Sequence, residues 1–343
     1  MRAAWFAIPG DLAAPTGGYE YARQLLRYIP GLIHLPLPAG FPQPSEIELA
    51  RSASALAAVP GDDVLLVDGL AYGAMPAGCL AEIRAPVVAL VHHPLCLEAG
   101  LAPERAASLL ASERHALLLA RRVIATSSFT ARWLVREFGV LPEKLTVVEP
   151  GTVRQLHAVG SLAPEPRLLA VGAITPRKGY DILVEALAGL TDRDWRLTIA
   201  GDLSRDPDCV SALRAVIAGY ALTDRVALAG AVPDSALDAL YAESDLFVTA
   251  SLHEGYGMAV ASAMAHGLPL VATNAGALAD TIPPGAAIFC PPADAIALRR
   301  AIGAMLTDPD LRRACAEISW QAGQNLPDWR QAAGRVAAVI ASA

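Results

Sequence analysis

The chain has 343 residues, of which 54% are hydrophobic and 18% charged, with a formal net charge of −7. This length exceeds one comfortable hydrophobic core and predicts two domains. The composition excludes a disordered chain, and the negative balance argues against a general nucleic-acid binder.

Five cysteines (Cys79, Cys96, Cys209, Cys290, Cys315) are scattered without the C-x-x-C or Cys/His spacing of a zinc site. They are expected as reduced thiols in a soluble, cytoplasmic protein. The apolar start Met1 to Ile8 ends at Pro9-Gly10-Asp11, too early for a signal peptide. No run approaches the roughly 20 apolar residues of a membrane span.

In chain order, Ala3–Ile8 reads as a buried first strand and Pro9–Gly18 as a loop, followed by a helix over Tyr19–Tyr28. Apolar runs at Leu32–Leu35, Val64–Val67, Val87–Val91, Val123–Ala125 and Leu145–Val148 alternate with helical patterns at Ser45–Ala58, Glu104–Arg121 and Phe129–Phe138. Such alternation predicts a parallel sheet covered on both faces. Glu149–Pro166, rich in Pro and Gly, reads as a linker.

A second series follows, with strands at Arg167–Val171, Arg196–Ala200, Val226–Ala229, Leu246–Thr249, Leu270–Ala272 and Ala287–Phe289. Helices are expected between them, then two more around Leu311–Ala322 and from Trp329 onward. The expected division is residues 1–160 and 161–325, with a final helix, 326–343, returning to the first domain. Ligands of such sheets bind at the carboxyl ends of the strands, which predicts a site in a cleft between two facing domains.

The residues with chemical potential fall at those strand ends. After the strand Leu246–Thr249 comes His253-Glu254-Gly255-Tyr256-Gly257-Met258 and a small-residue helix. Two glycines admit close approach of a ligand, and a helix start presents free N–H groups and a positive dipole end to an anion. Glu254 is placed to accept hydroxyls of the same ligand. Thr175-Pro176-Arg177-Lys178-Gly179 puts adjacent cations at another strand end, where a diphosphate loop and a solvated basic turn are both open readings. Lys178 is one of only two lysines, with Lys144, which tilts the balance towards a ligand.

Pro15-Thr16-Gly17-Gly18-Tyr19-Glu20 is either a ligand loop or a plain turn. His92 and His93 close the strand Val87–Val91, the edge at which chemistry would sit, and Glu98 is the nearest carboxylate in sequence. Gly201-Asp202 and Gly230-Ala231-Val232 end two further strands, although Asp202 could equally cap a helix. The Asp-x-Asp pairs at Asp192–Asp194, Asp206–Asp208 and Asp308–Asp310 lie in turn-like segments where Asp is common, so no metal site is expected. Glu104–Arg122 could form a membrane-surface helix, but the interleaved Glu104 and Glu113 favour an ordinary solvated face.

The stretch from Glu254 resembles the Glu-x7-Glu motif of the retaining GT-B glycosyltransferases of family 4. Pro176-Arg177-Lys178-Gly179 and Gly17-Gly18-x-Glu20 resemble that family's diphosphate loops, in the family's order. The resemblance implies an α/β GT-B fold of two facing Rossmann-like domains. It implies transfer of a hexose from a nucleoside-diphosphate sugar to a hydroxyl acceptor (lipid, polysaccharide or small metabolite), without cofactor or metal.

It assigns the donor diphosphate to Gly17, Gly18, Arg177, Lys178, Gly257 and Met258. The donor sugar and nucleotide go to Glu20, Asp202, Ala231, Val232, Glu254, Gly255, Tyr256 and Ser262. Glu254 and His92, with His93 as fallback, take the catalytic role, and Trp329 a structural one. Two positions depart from the pattern: Ser262 stands where the second Glu is expected, and Ala173 where many members carry Arg. These departures motivate one alternative, a catalytically quiet nucleotide-sugar-binding protein. A second is a nucleotide-sugar 2-epimerase of the same architecture.

Overall fold

A computed structural model describes residues 2–343, which divide into two compact units, residues 2–151 with Pro327–Ala343, and Thr152–Leu326. Unit 1 runs β1 (Ala4–Pro9), α1 (Gly17–Tyr28), β2 (Leu32–Leu37), α2 (Glu46–Ala57), β3 (Val64–Asp68), α3 (Gly69–Tyr72), α4 (Ala77–Ala81), β4 (Val87–Val91), α5 (Pro103–Leu119), β5 (Arg122–Ala125), α6 (Ser128–Phe138) and β6 (Leu145–Val147). Its sheet has the order β2-β1-β3-β4-β5-β6, and every pairing is parallel. Central strands β3 and β4 are buried at every residue, as a sheet covered on both faces requires. Local chemistry sets several helix starts. Ser45 and Glu48 form a capping box on α2, while Thr16 and Ser127 cap α1 and α6 through their hydroxyls.

Unit 2 continues with β7 (Arg167–Val171), α7 (Tyr180–Ala188), β8 (Arg196–Ala200), α8 (Pro207–Gly219), β9 (Val226–Gly230), α9 (Asp234–Ala242), β10 (Leu246–Thr249), α10 (Met258–Ala265), β11 (Leu270–Thr273), α11 (Leu278–Thr281), β12 (Ala287–Cys290), α12 (Ala295–Thr307) and α13 (Pro309–Asn325). Its sheet, β12-β11-β10-β7-β8-β9, is again parallel. One core cluster gathers Trp195, Leu183, Ile199 and Ile302, and another Tyr241, Phe247, Met264 and Leu278. The last helix, α14 (Trp329–Ala341), belongs to unit 1, where it packs on α1.

The division at Gly151 falls nine residues before the expected boundary at 160 (160 − 151). The irregular segment after it is tied to unit 2 by hydrogen bonds from Ala158 N to His266 O (2.7 Å), Gly160 N to Ala242 O (3.2 Å) and Ser161 N to the Asp245 carboxylate (3.0 Å). The short helices α3, α4 and α11 were not expected from the sequence. At four or five residues each they are too short to show a helical period.

Candidate functional site

In unit 2 the strand order reverses between β10 and β7, and the loops leaving these two strands lie at the topological switch point, where ligands of such sheets bind. The loop after β7 carries Arg177 and Lys178 in a single 3₁₀ turn, and Gly179 ends it at φ 60°. A side chain there would meet the carbonyl of Ala250, so only glycine lets the two loops approach. Leu252 N donates to Arg177 O (2.8 Å), and the Arg177 guanidinium donates back through Nη1 to His253 O (2.8 Å), joining the two loops.

Glu254 lies where they meet. Lys178 Nζ stands 2.6 Å from its Oε1, Ser251 Oγ donates to the same oxygen at 2.8 Å, and Arg177 Nη1 is 3.4 Å from Oε2. Burial by itself raises the Glu254 pKa, but the charges of Lys178 and Arg177 and the two hydrogen bonds outweigh it and hold the group at about 2. Behind it, Thr273 Oγ1 donates to Ser251 O (2.6 Å) and Ala277 N to Glu254 O (2.9 Å).

Gly257, at φ 97°, turns the chain into α10, whose start has no side-chain cap. The first N–H groups of this eight-residue helix are therefore available to an anion. Tyr256 is buried, and its carbonyl accepts from Thr281 Oγ1. Ser262 is half-buried on α10, and Tyr241 donates its hydroxyl to Ala259 O on the same helix (3.0 Å). Gly172, Gly201 and Gly230, at the ends of β7, β8 and β9, are linked by Gly172 O, which lies against Gly201, and by Gly201 N donating to Gly230 O (2.9 Å). This places Ala173, Asp202, Ala231 and Val232 along one edge. The Asp202 carboxylate accepts from Ser204 N and Oγ, both at 2.7 Å, which holds its pKa below the usual range and makes it a turn-former.

In unit 1 the sheet reverses between β1 and β3, and the loops that follow carry Gly17-Gly18 and Asp68. A Cβ on Gly18 would sit 3.6 Å from the His92 ring, so the loop lies directly against that imidazole. His92 Nε2 is 3.6 Å from Asp68 Oδ2, outside hydrogen-bond range, and Tyr21 meets the ring edge-on with centroids 5.4 Å apart. His93 turns instead to Glu98, at 3.1 Å.

Glu20 does not stand open: Arg23 grips it at 2.6 Å, and Gln24 Nε2 donates to its other oxygen at 2.6 Å. Asp68 and Tyr21 join the site without a sequence motif of their own. A carboxylate directly ending a buried apolar run is the signal that could have found Asp68. Tyr21 and Ser251 left none, because they resemble ordinary helix and loop residues. Of the Asp-x-Asp residues, Asp206 caps α8 and Asp308 caps α13, and among the described residues no three His, Cys, Asp or Glu gather as a metal site.

The sequence matches two family models, described as Glycosyltransferase Family 4 over residues 11–155 and Glycosyl transferases group 1 over residues 155–321. It is 30% identical over 328 residues to an MMP alpha-(1->4)-mannosyltransferase of Mycolicibacterium hassiacum, covering 88% of this chain and 78% of that protein. In structure it is similar to a sucrose-phosphate synthase from Thermosynechococcus elongatus, with a TM-score of 0.83, 21% identity, and 100% and 99% of the two chains covered. A similar likeness, with a TM-score of 0.79, 19% identity and 100% of both chains covered, holds for Anabaena Alr3699/HepE, solved in complex with UDP and glucose.

Proposed function

As a member of the family 4, group 1 glycosyltransferases, with their α/β GT-B fold, this chain is a glycosyltransferase, and we propose that it moves a hexose from a nucleoside-diphosphate sugar to a hydroxyl acceptor with retention at the anomeric carbon. The observation that carries this reading is the meeting of Arg177, Lys178 and Glu254 at the switch point of the unit 2 sheet, beside the uncapped start of α10.

Breaking the glycosidic bond leaves negative charge on the diphosphate. The two cations and the N–H groups from Met258 onward stabilise that charge as it develops, without a bound metal or cofactor. Glu254 accepts hydroxyls of the transferred sugar. In unit 1, the Gly17-Gly18 loop lies against His92, whose ring Tyr21 meets edge-on and whose Nε2 faces Asp68. The acceptor hydroxyl attacks from the face the diphosphate leaves and gives its proton to the departing phosphate, which accounts for retention without a protein nucleophile. Five free cysteines accord with a cytoplasmic location.

The test is incubation with radiolabelled UDP- and GDP-hexoses and a cell extract, in the presence of EDTA. Wild type is expected to move label onto an acceptor, and Glu254→Ala to lose about 10²- to 10³-fold in rate, the scale of losing one electrostatic contact at a reacting centre. Equal turnover by the variant would overturn the assignment of Glu254. Conversion of the nucleotide sugar alone, with no acceptor, would replace hexosyl transfer by epimerisation.

A further inference from the structure

Two adjacent cations in unit 2 share one carboxylate. The side chains of Arg177, Lys178 and Glu254 are only 20%, 15% and 11% exposed, so their charges act on one another with little screening. Without Glu254, two neighbouring cations would be withdrawn from water together, an arrangement that costs more than either alone. We propose that Glu254 is the resident counter-ion of the anion clamp, holding Arg177 and Lys178 in place when the site is empty and competing with a diphosphate for them when it is full. This rests on the donor-site reading above and adds to it a second role for Glu254, in the release of the nucleoside diphosphate.

The carboxylate is built to stay. Ser251 Oγ fixes Oε1, Thr273 fixes Ser251 from behind, and Ala277 N holds the Glu254 main chain. None of these three residues is assigned to a ligand, so an arriving diphosphate does not release the contacts that hold Glu254. Lys178 is then shared between two anions rather than handed from one to the other. The low pKa of Glu254 keeps its charge present throughout the working pH range. A shared cation binds each anion less tightly, so the product leaves faster than it would from an uncompensated clamp.

The two roles separate with a ligand that has no sugar. If Glu254 only binds sugar hydroxyls, removing its charge leaves the affinity for pyrophosphate unchanged. Calorimetric titration of wild type, Glu254→Gln and Glu254→Asp with pyrophosphate, UDP and GDP distinguishes them. Glu254→Gln is expected to bind pyrophosphate about tenfold more tightly than wild type, with a steeper dependence on salt. Glu254→Asp keeps the charge but draws it back by one methylene, and is expected to fall between the two. Equal or weaker binding of pyrophosphate by a folded Glu254→Gln, with UDP or GDP still binding wild type, overturns the counter-ion role and leaves the donor site standing. Absence of nucleoside diphosphate binding by wild type overturns the donor-site reading itself.

Discussion

Glu254 is nearly buried beside two cations, and its ionisation is linked to folding. Its pKa falls from 4.5 to about 2 because Lys178, Arg177 and Ser251 outweigh the cost of burial. A carboxylate with a depressed pKa binds fewer protons folded than unfolded, so the stability it adds is complete above pH 4.5 and is lost as the pH falls towards 2. Urea midpoints for wild type and Glu254→Gln are therefore expected to differ by a constant amount at neutral pH and to converge below pH 4.5. A difference independent of pH would show that the ionisation of Glu254 is not linked to folding.

Two elements of unit 1 carry side chains whose roles lie outside the chemistry. Trp329 opens α14, is 6% exposed, and meets the ring of Tyr21 edge-on with centroids 5.6 Å apart. Gly151 lies against its main chain, where a Cβ would overlap Trp329. Truncation of a buried aromatic of this size costs about 3–5 kcal/mol, so Trp329→Ala is expected to lower the melting temperature of unit 1. Because Tyr21 also contacts His92, activity should fall at temperatures where the fold survives.

On α5, Glu113 is 1% exposed, and its Oε2 accepts from Leu95 N at 2.9 Å, fixing the segment that follows His92 and His93. Burial pushes its pKa up to about 8, opposed only in part by the Leu95 N–H, so the carboxyl is protonated at neutral pH. A carboxyl with a raised pKa binds more protons folded than unfolded, so stability is lost as the pH rises from 4.5 through 8. Glu113→Gln keeps an acceptor for Leu95 N and is expected to flatten that loss in chemical denaturation measured from pH 5 to 9.

At the scale of the whole molecule, a chain with a net charge of −7 gathers Arg177 and Lys178 at one sheet switch point in unit 2, against its overall sign. A ligand recognised there stabilises the segments that hold it by mass action, about 2.7 kcal/mol at 100 times its dissociation constant. Hydrogen exchange with saturating UDP or GDP is therefore expected to slow over residues 172–180 and 251–262. Exchange in α2 and β2, at the edge of the other sheet, should be unchanged. Protection confined to unit 1 would move the nucleotide site out of unit 2.

Much of this architecture is legible in the chain because it rests on local chemistry. Strand–helix alternation, the capping box at Ser45 and Glu48, the caps at Thr16 and Ser127, and the glycines at 179 and 257 all act within a few residues. The polar residues of interest stood out for the same reason, since Arg177-Lys178 and Glu254 each follow an apolar run. Tertiary structure alone decided which of them meet. Lys178 and Glu254 lie 76 residues apart and are brought together by strand order, because β7 and β10 are neighbours in the sheet. The same holds for Asp68 and Tyr21 beside His92, for Trp329 against Tyr21, and for the boundary at Gly151, set by hydrogen bonds to residues some 80–110 positions away. Arg23 and Gln24 hold Glu20 locally, three and four residues along the same helix. Propensity acts along the chain, whereas a charge finds its partner across the sheet.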